Sequence, residues 1–259
     1  MDWTNSIAGF GVGLLVGLTG VGGGALMTPL LVLLFGVSPA TAVGTDLWFA
    51  AITKSVGGVV HNKRGSVDWE VFRRLCWGSI PASLITLAIL HYSGAGKMAN
   101  GFLIQALGVV LILTAAAMFF KKRLHGFGRH LRDIAAEKFK GAQPSLTVLA
   151  GVILGVLVTT TSIGAGALGA VMLLYLYPYR MKPQLLVGTD IVHAIPLTIV
   201  AGSGHLLLGN VDLVLLASLV LGSIPGVIVG AMASHRAPEH ILRASIAAVL
   251  VAVGVKMVA

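Results

Sequence analysis

The sequence predicts an all-α polytopic membrane protein of two inverted repeats, each a glycine-broken re-entrant helical hairpin followed by three transmembrane helices. Three observations predict it: a composition too apolar for a water-facing surface, apolar runs that fill almost the whole chain, and a set of motifs that recurs at one constant spacing. Of 259 residues, 56% are hydrophobic and 10% charged, and mean hydropathy is +0.94, whereas roughly a quarter of the residues of an ordinary soluble domain are charged. The runs 7–18, 25–36, 39–60, 75–92, 98–120, 146–178, 183–208, 213–233 and 241–258 leave no stretch for a separate soluble domain. Before Lys54 the only charged residues are the acidic Asp2 and Asp46, so the basic start of a cleaved signal peptide is missing and the N-terminus is expected to be retained.

The recurrence fixes the organisation. VGTD at 43–46 falls on VGTD at 187–190, an offset of 144 residues, and the same offset carries Pro39 to Pro183, His61 to His205, GSVD (65–68) to GNVD (209–212) and GSIP (78–81) to GSIP (222–225). Gly20 and Gly22 fall on Gly164 and Gly166. Chance likeness between apolar segments would not hold one register over so many Gly, Pro, His and Asp positions, so the chain is an internal duplication. It divides into a first repeat (1–120), a basic linker (121–145) and a second repeat (146–259).

Each copy opens on a long apolar element broken by glycines. As one straight helix, 7–36 would be about 45 Å long against a hydrocarbon core of about 30 Å. Folded back at the glycines, each arm of about a dozen residues would reach roughly 18 Å, a little past the bilayer middle. Loop charges give an independent test. If both broken elements return to their starting side, Lys63, Arg64, Arg73, Arg74, the 121–140 cluster, Arg180, Lys182, Arg236 and Arg243 share one side, and only Lys97 and Lys256 lie opposite. The positive-inside rule makes that shared side cytoplasmic. Three further crossings per copy, an odd number, then invert the copies. The linker KKRLHGFGRHLRDIAAEKFK (121–140) has apolar residues at near-helical spacing and reads as a short surface helix on the inner face, with a solvated linker as the alternative.

Non-helical backbone at membrane depth has to be buried in protein or line a cavity, because lipid cannot satisfy its polar groups. The two tips are therefore expected to meet centrally, each followed by a half-helix, beginning near Ala25 and near Ala167, whose N-terminal amides face inward and suit an anion. This selects Thr19, Gly20, Gly22, Gly23 and Gly24 in the first copy and Thr161, Ser162, Gly164 and Gly166 in the second as substrate-binding candidates. The four-residue rows Gly9/Gly13/Gly17 and Gly222/Gly226/Gly230 read instead as helix-packing surfaces. No Lys-Ser/Thr completes a P-loop at TGVGGGALMT.

Intramembrane charge marks the other candidates. Asp46 and Asp190 hold matching positions in the VGTD repeats, where they either carry a coupling proton or sodium ion or cap a helix. Lys54, two helical turns beyond Asp46, suits a substrate's negative charge, snorkelling being the alternative. The second copy has Thr198 at that place and His193 one turn after Asp190, so the site is expected to be asymmetric, with His193 either a proton carrier or a packing residue. GSVD and GNVD read as turn and capping signals, and Pro81 and Pro225 as helix kinks. The lone Cys76 excludes an internal disulfide and a thiolate metal cage. No cofactor is expected, nor a nucleic-acid partner, because the net charge of +9 lies in loops between apolar runs.

The ordered set GVGGG, SPATAVGTDLWFAAITKSVGGVVHNKRGSVDW and GSIP, with its weaker second edition, resembles the sulfite exporter TauE/SafE family of bacterial membrane transporters across essentially the whole chain. The resemblance implies an inner-membrane carrier for sulfite, sulfoacetate or a related sulfonate or organic anion. The expected activity is secondary transport by alternating access, with a small anion and the lipid bilayer as partners and a homo-oligomer left open. A passive anion channel is the alternative. An intramembrane transferase fits less well, since no nucleophile with an oriented base stands out.

Overall fold

The computed structural model describes residues 6–7, 9–14, 24–92, 100–134, 136–233 and 239–258. Among them the secondary structure is helical throughout. Residues 9–14 are helical, followed by α1 (Gly24–Leu33), α2 (Pro39–Lys63), α3 (Trp69–Tyr92), α4 (Asn100–Ile134), α5 (Ala136–Thr161), α6 (Ala167–Leu176), α7 (Pro183–Leu207), α8 (Leu213–Ala233) and α9 (Glu239–Val258). Five described helices, α3, α7 and the apolar parts of α4, α5 and α8, are long and apolar enough to cross a membrane. The chain is a multi-pass membrane protein.

The side-chain distribution of α3 shows why. Beyond Val71 and Leu75 its buried face turns to small or hydroxyl-bearing residues, Gly78, Ser79, Ala82, Ser83 and Thr86. Its outer face carries exposed Trp77, Leu84, Ile85 and Ile89. In water that arrangement would leave a large apolar patch uncovered, whereas in lipid small residues at helix contacts and large ones outside are the stable choice. Gly78 lies so close to Val148 and Val152 of α5 that an added Cβ would strike backbone atoms, and Gly151 and Gly155 of α5 are equally tight against Leu75 and Ser79 of α3. The other copy repeats the arrangement: Gly9 and Gly13 abut Leu219 and Ser223 of α8, while Gly222 and Gly226 abut Phe10. Both glycine rows thus serve packing at these positions; Gly17 lies outside the described residues.

The contacts repeat at the 144-residue offset. Thr189 Oγ1 accepts the Asp68 backbone N–H at 2.9 Å, and Thr45 Oγ1 accepts that of Asp212 at 3.1 Å. Gly188 is pressed against the Ser66 carbonyl as Gly44 is against that of Asn210. The turns match too. Gly65 and Gly209 have φ of 62° and 74°, ending α2 and α7 in the left-handed conformation that favours glycine. Asp68 and Asp212 then accept the Val71 and Leu215 amides at 3.2 and 2.9 Å, capping α3 and α8 as the motifs predict.

The second broken element breaks at 162–166, at the glycines the sequence marks, between α5 of 26 residues and α6 of 10. The two ends of this element nevertheless meet, Gln143 Nε2 donating to the Leu176 carbonyl at 2.6 Å and Thr147 Oγ1 lying 2.7 Å from the Tyr177 hydroxyl. The linker, by contrast, is no separate surface helix as far as Ile134, since α4 runs on through it. That extension packs on the end of α6, with Phe127 stacked on Tyr175 and His125 Nδ1 3.3 Å from the Leu174 carbonyl. Pro81 and Pro225 lie inside α3 and α8.

One end of the molecule gathers charge. Arg180 pairs with Asp68 at 2.5 Å and Glu70 at 2.7 Å, and Glu70 also pairs with Arg74. The Arg74 guanidinium donates to the Tyr177 hydroxyl at 3.1 Å. Tyr179 donates to Asp133 at 2.8 Å and lies under the Arg129 guanidinium. Residues 68–74, 129–133 and 177–180 are therefore together.

Candidate functional site

The break between α5 and α6 is built by local chemistry. Thr161 Oγ1 donates to the Leu157 carbonyl at 2.6 Å and accepts the Ile163 N–H at 3.1 Å, closing α5. Ser162 takes φ of 59°, and Gly164 and Gly166 take 121° and 135°. Side chains rarely adopt such values, so glycine at 164 and 166 lets the chain turn into α6. The turn leaves the Ala165 carbonyl pointing at α2, where it accepts a hydrogen bond from Lys54 Nζ at 2.8 Å.

Lys54 is only 7% exposed and has the carboxylates of Asp46 and Asp190 as its charged neighbours. Asp46, in the third turn of α2, accepts a hydrogen bond from Thr28 Oγ1 of α1 at 2.6 Å. Among the described residues its other oxygen, Oδ1, and the Ser162 hydroxyl beside it make no well-formed hydrogen bond. Asp190, at the equivalent place in α7, lies against the first turn of α6, where a methyl group at Gly169 would strike its Oδ1. Neither carboxylate is in the first turn of its own helix; each meets the early residues of one of the short helices instead. A lysine and two carboxylates are costly to bury except where they hold one another or a ligand.

A cavity of about 690 Å³ adjoins this cluster. At its inner part lie Lys54, Gly166, Ala167 and Asp190, and towards the charged end lie Lys121, His125, Arg129 and Lys182. Four lysine or arginine side chains thus line it against one carboxylate, a field that concentrates anions. Its volume is that of a small-molecule site.

Of the residues selected from the sequence, Lys54, Gly166 and Asp190 line the cavity, and Ser162 and Asp46 lie just beyond it. Gly164 shapes the break, and Thr161 is engaged in closing α5. His193 is fully buried away from the cavity, its Nε2 2.9 Å from Ser79 Oγ. Gly24 begins α1, while Thr19, Gly20, Gly22 and Gly23 lie outside the described residues. Thr28 and the cavity-lining Lys121, His125, Arg129 and Lys182 escape a sequence reading. The four basic residues enter it only as topology markers, and Thr28 has no repeat partner to signal it, since the register places Met172 there. Among the described residues, no group of three or more His, Cys, Asp or Glu is placed to hold a metal ion.

Residues 6–257 match the family model described as sulfite exporter TauE/SafE. The chain belongs to the TauE/SafE family. Relatives extend over almost all of this TauE/SafE chain. It is 39% identical to the probable membrane transporter protein YjnA of Bacillus subtilis over 97% of its length and 98% of that protein's. It is 28% identical to the probable membrane transporter protein YdhB of the same organism, over 92% of both chains. A probable membrane transporter protein of Methanocaldococcus jannaschii is 29% identical over 80% of this chain and 72% of its own. No solved structure matches the chain.

Proposed function

We propose that this TauE/SafE protein is a secondary transporter that carries a small sulfur-containing or organic anion, such as sulfite, sulfoacetate or a related sulfonate, across the cytoplasmic membrane by alternating access. The observation that carries the proposal is the cavity running from Lys121, Arg129 and Lys182 to Lys54 and the start of α6. The description of the relatives as probable membrane transporters supports transport over enzymatic activity.

In this reading the two halves are inverted repeats and the broken elements are re-entrant. The return of Tyr177 to Thr147 and the joining of Arg180 to Asp68 and Glu70 support it, since a single straight crossing would carry residues 177–182 to the far side. The charged end then faces the cytoplasm. An anion drawn down the basic walls would meet the Lys54 ammonium and the amides of Gly166 and Ala167, so Lys54 is the principal substrate contact, with the first tip at Thr19, Gly20, Gly22, Gly23 and Gly24 completing the site. Entry of the anion displaces Lys54 from the Ala165 carbonyl and Asp190 from the start of α6. Proton or sodium binding at Asp190 or Asp46 would keep the buried charge balanced; His193, held by Ser79, would position α7 against α3.

Purified protein in liposomes should show saturable uptake of radiolabelled sulfite or a sulfonate, accelerated by unlabelled substrate loaded inside. Acceleration by trans substrate distinguishes a carrier from an open pore. Inert vesicles across a broad anion panel would overturn the proposal.

A further inference from the structure

The 144-residue register pairs the walls of the cavity with residues of the first half, and the paired residues have opposite surroundings. Asp190, Val187, Ile191 and Ala170 line the cavity, and Val187 is 36% exposed. Their partners are Asp46, Val43, Leu47 and Leu26. Val43 and Leu47 are 0% exposed and are packed with Leu107 and Leu111 of α4, Ile163 of the break, and Leu250 and Met257 of α9, with Leu26 at the edge of the same cluster. The frame beneath both sets is the same, as the reciprocal bonds Thr45 to Asp212 and Thr189 to Asp68 show. One half therefore holds open what the other holds shut.

We infer that Leu26, Val43, Asp46 and Leu47 are the wall of a second vestibule for the same small anion, closed in this structure and opening at the end of the molecule opposite the cavity. The inference rests on the alternating-access reading. If the halves exchange conformations, the cavity along Val187 and Ile191 closes and the apolar plug along Val43 and Leu47 parts. The plug is aliphatic, so parting it costs burial and breaks no side-chain hydrogen bond of its own. The opposing term lies beside it: Asp46 Oδ1 and Ser162 Oγ, close to each other, have no well-formed hydrogen bond among the described residues in the closed state; water entering would satisfy both, and the Ser162 hydroxyl could donate to the anion. The Thr28 hydroxyl bond to Asp46 is the latch that ties α1 to α2 while the plug is shut. Lys54 stands between the two carboxylates and would serve both vestibules, in keeping with Thr198 at its register partner.

Cysteine accessibility tests this directly, because Cys76 is the only native cysteine and Cys76→Ser leaves a silent background. Val43→Cys, Leu47→Cys, Val187→Cys and Ile191→Cys are reconstituted in vesicles and treated with a membrane-impermeant thiol reagent on each side in turn, with sulfite counterflow measured on the same preparations. Val187→Cys and Ile191→Cys are expected to react from the side of Arg129 and Lys182. Val43→Cys and Leu47→Cys are expected to react only from the other side. A minor state is populated to about 0.1–10% at rest, so turnover should speed their labelling roughly tenfold or more. Counterflow with Val43→Cys and Leu47→Cys unreactive from both sides, or reactive from the side of Arg129, overturns the vestibule while leaving transport intact; absence of counterflow in the Cys76→Ser parent and the unmodified protein overturns the transport reading itself. Should the plug variants fail to assemble, hydrogen exchange of residues 42–47 in unmodified protein, expected to rise when sulfite is supplied on both sides, decides the matter, and an unchanged rate overturns the inference.

Discussion

Replacing Lys54 by methionine tests the centre of the proposed mechanism. The substitution keeps an unbranched chain of similar length and removes the ammonium, so what is lost is charge and the hydrogen bond now made to the Ala165 carbonyl. A hydrogen bond to a charged group contributes about 1.5–3 kcal/mol. The Coulomb attraction of two unit charges ~5 Å apart at an effective dielectric of about 20 is of the same order, about 3 kcal/mol. At about 1.4 kcal/mol per factor of ten, the KM for sulfite should rise roughly 10- to 100-fold. Counterflow in liposomes over a range of sulfite concentrations measures it. Lys54→Met also leaves Asp46 and Asp190 without their common cation, so Lys54→Met/Asp190→Asn serves as the folding control, its elution profile in detergent expected to match the parent's. A KM within about twofold of the parent, less than ~0.5 kcal/mol, would refute the assignment of Lys54 to substrate.

Other perturbations follow from the same geometry. Arg129→Gln/Lys182→Gln should lower uptake at low ionic strength and flatten its dependence on salt, because these side chains act through their long-range field; salt titrations of initial rates check this. Gly169→Ala puts a methyl group on Asp190 Oδ1, and displacing a buried carboxylate by about 1–3 kcal/mol should reduce counterflow roughly tenfold with expression unchanged. Gly78→Ala meets the backbone of α5, which cannot yield as a side chain can; overpacking of about 1–3 kcal/mol should lower the melting temperature in detergent, whereas Gly101→Ala, with open space around it, should leave it unchanged. Arg180→Ala removes a partner that is 44% exposed, so solvent screening limits the loss to about 1 kcal/mol, seen as a small and salt-sensitive fall in the same melting temperature.

Where local chemistry suffices, the reading from sequence matches the structure. Gly65 and Asp68, Gly209 and Asp212 form their turns and caps from residues within a few positions of one another, so GSVD and GNVD are legible as they stand. The half-helices begin at Gly24 and Ala167, next to the expected Ala25 and Ala167, because the glycines that break the chain are local signals too. The length of α5 is not legible in the same way. Gly151 and Gly155 lie inside it, and only the proximity of Leu75 and Ser79 on α3 shows them to be packing residues of a continuous helix.

The site divides similarly. That Asp46, Lys54 and Asp190 are special follows from composition alone, since charge is scarce in an apolar chain and expensive within a membrane. Their inequivalence does not: VGTD is the same four residues in both copies, yet Asp46 is sealed beside Thr28 while Asp190 borders a cavity. Likewise Lys54 finds the Ala165 carbonyl 111 positions away, and the basic linker becomes a cavity wall only because α4 runs on to pack against α6. Sequence by itself determined the membrane class, the duplication and its register, because periodic hydrophobicity and turn chemistry act between near neighbours. Tertiary structure alone decided which copy of each motif borders a cavity and which is packed away, because that depends on which distant helix lies over it.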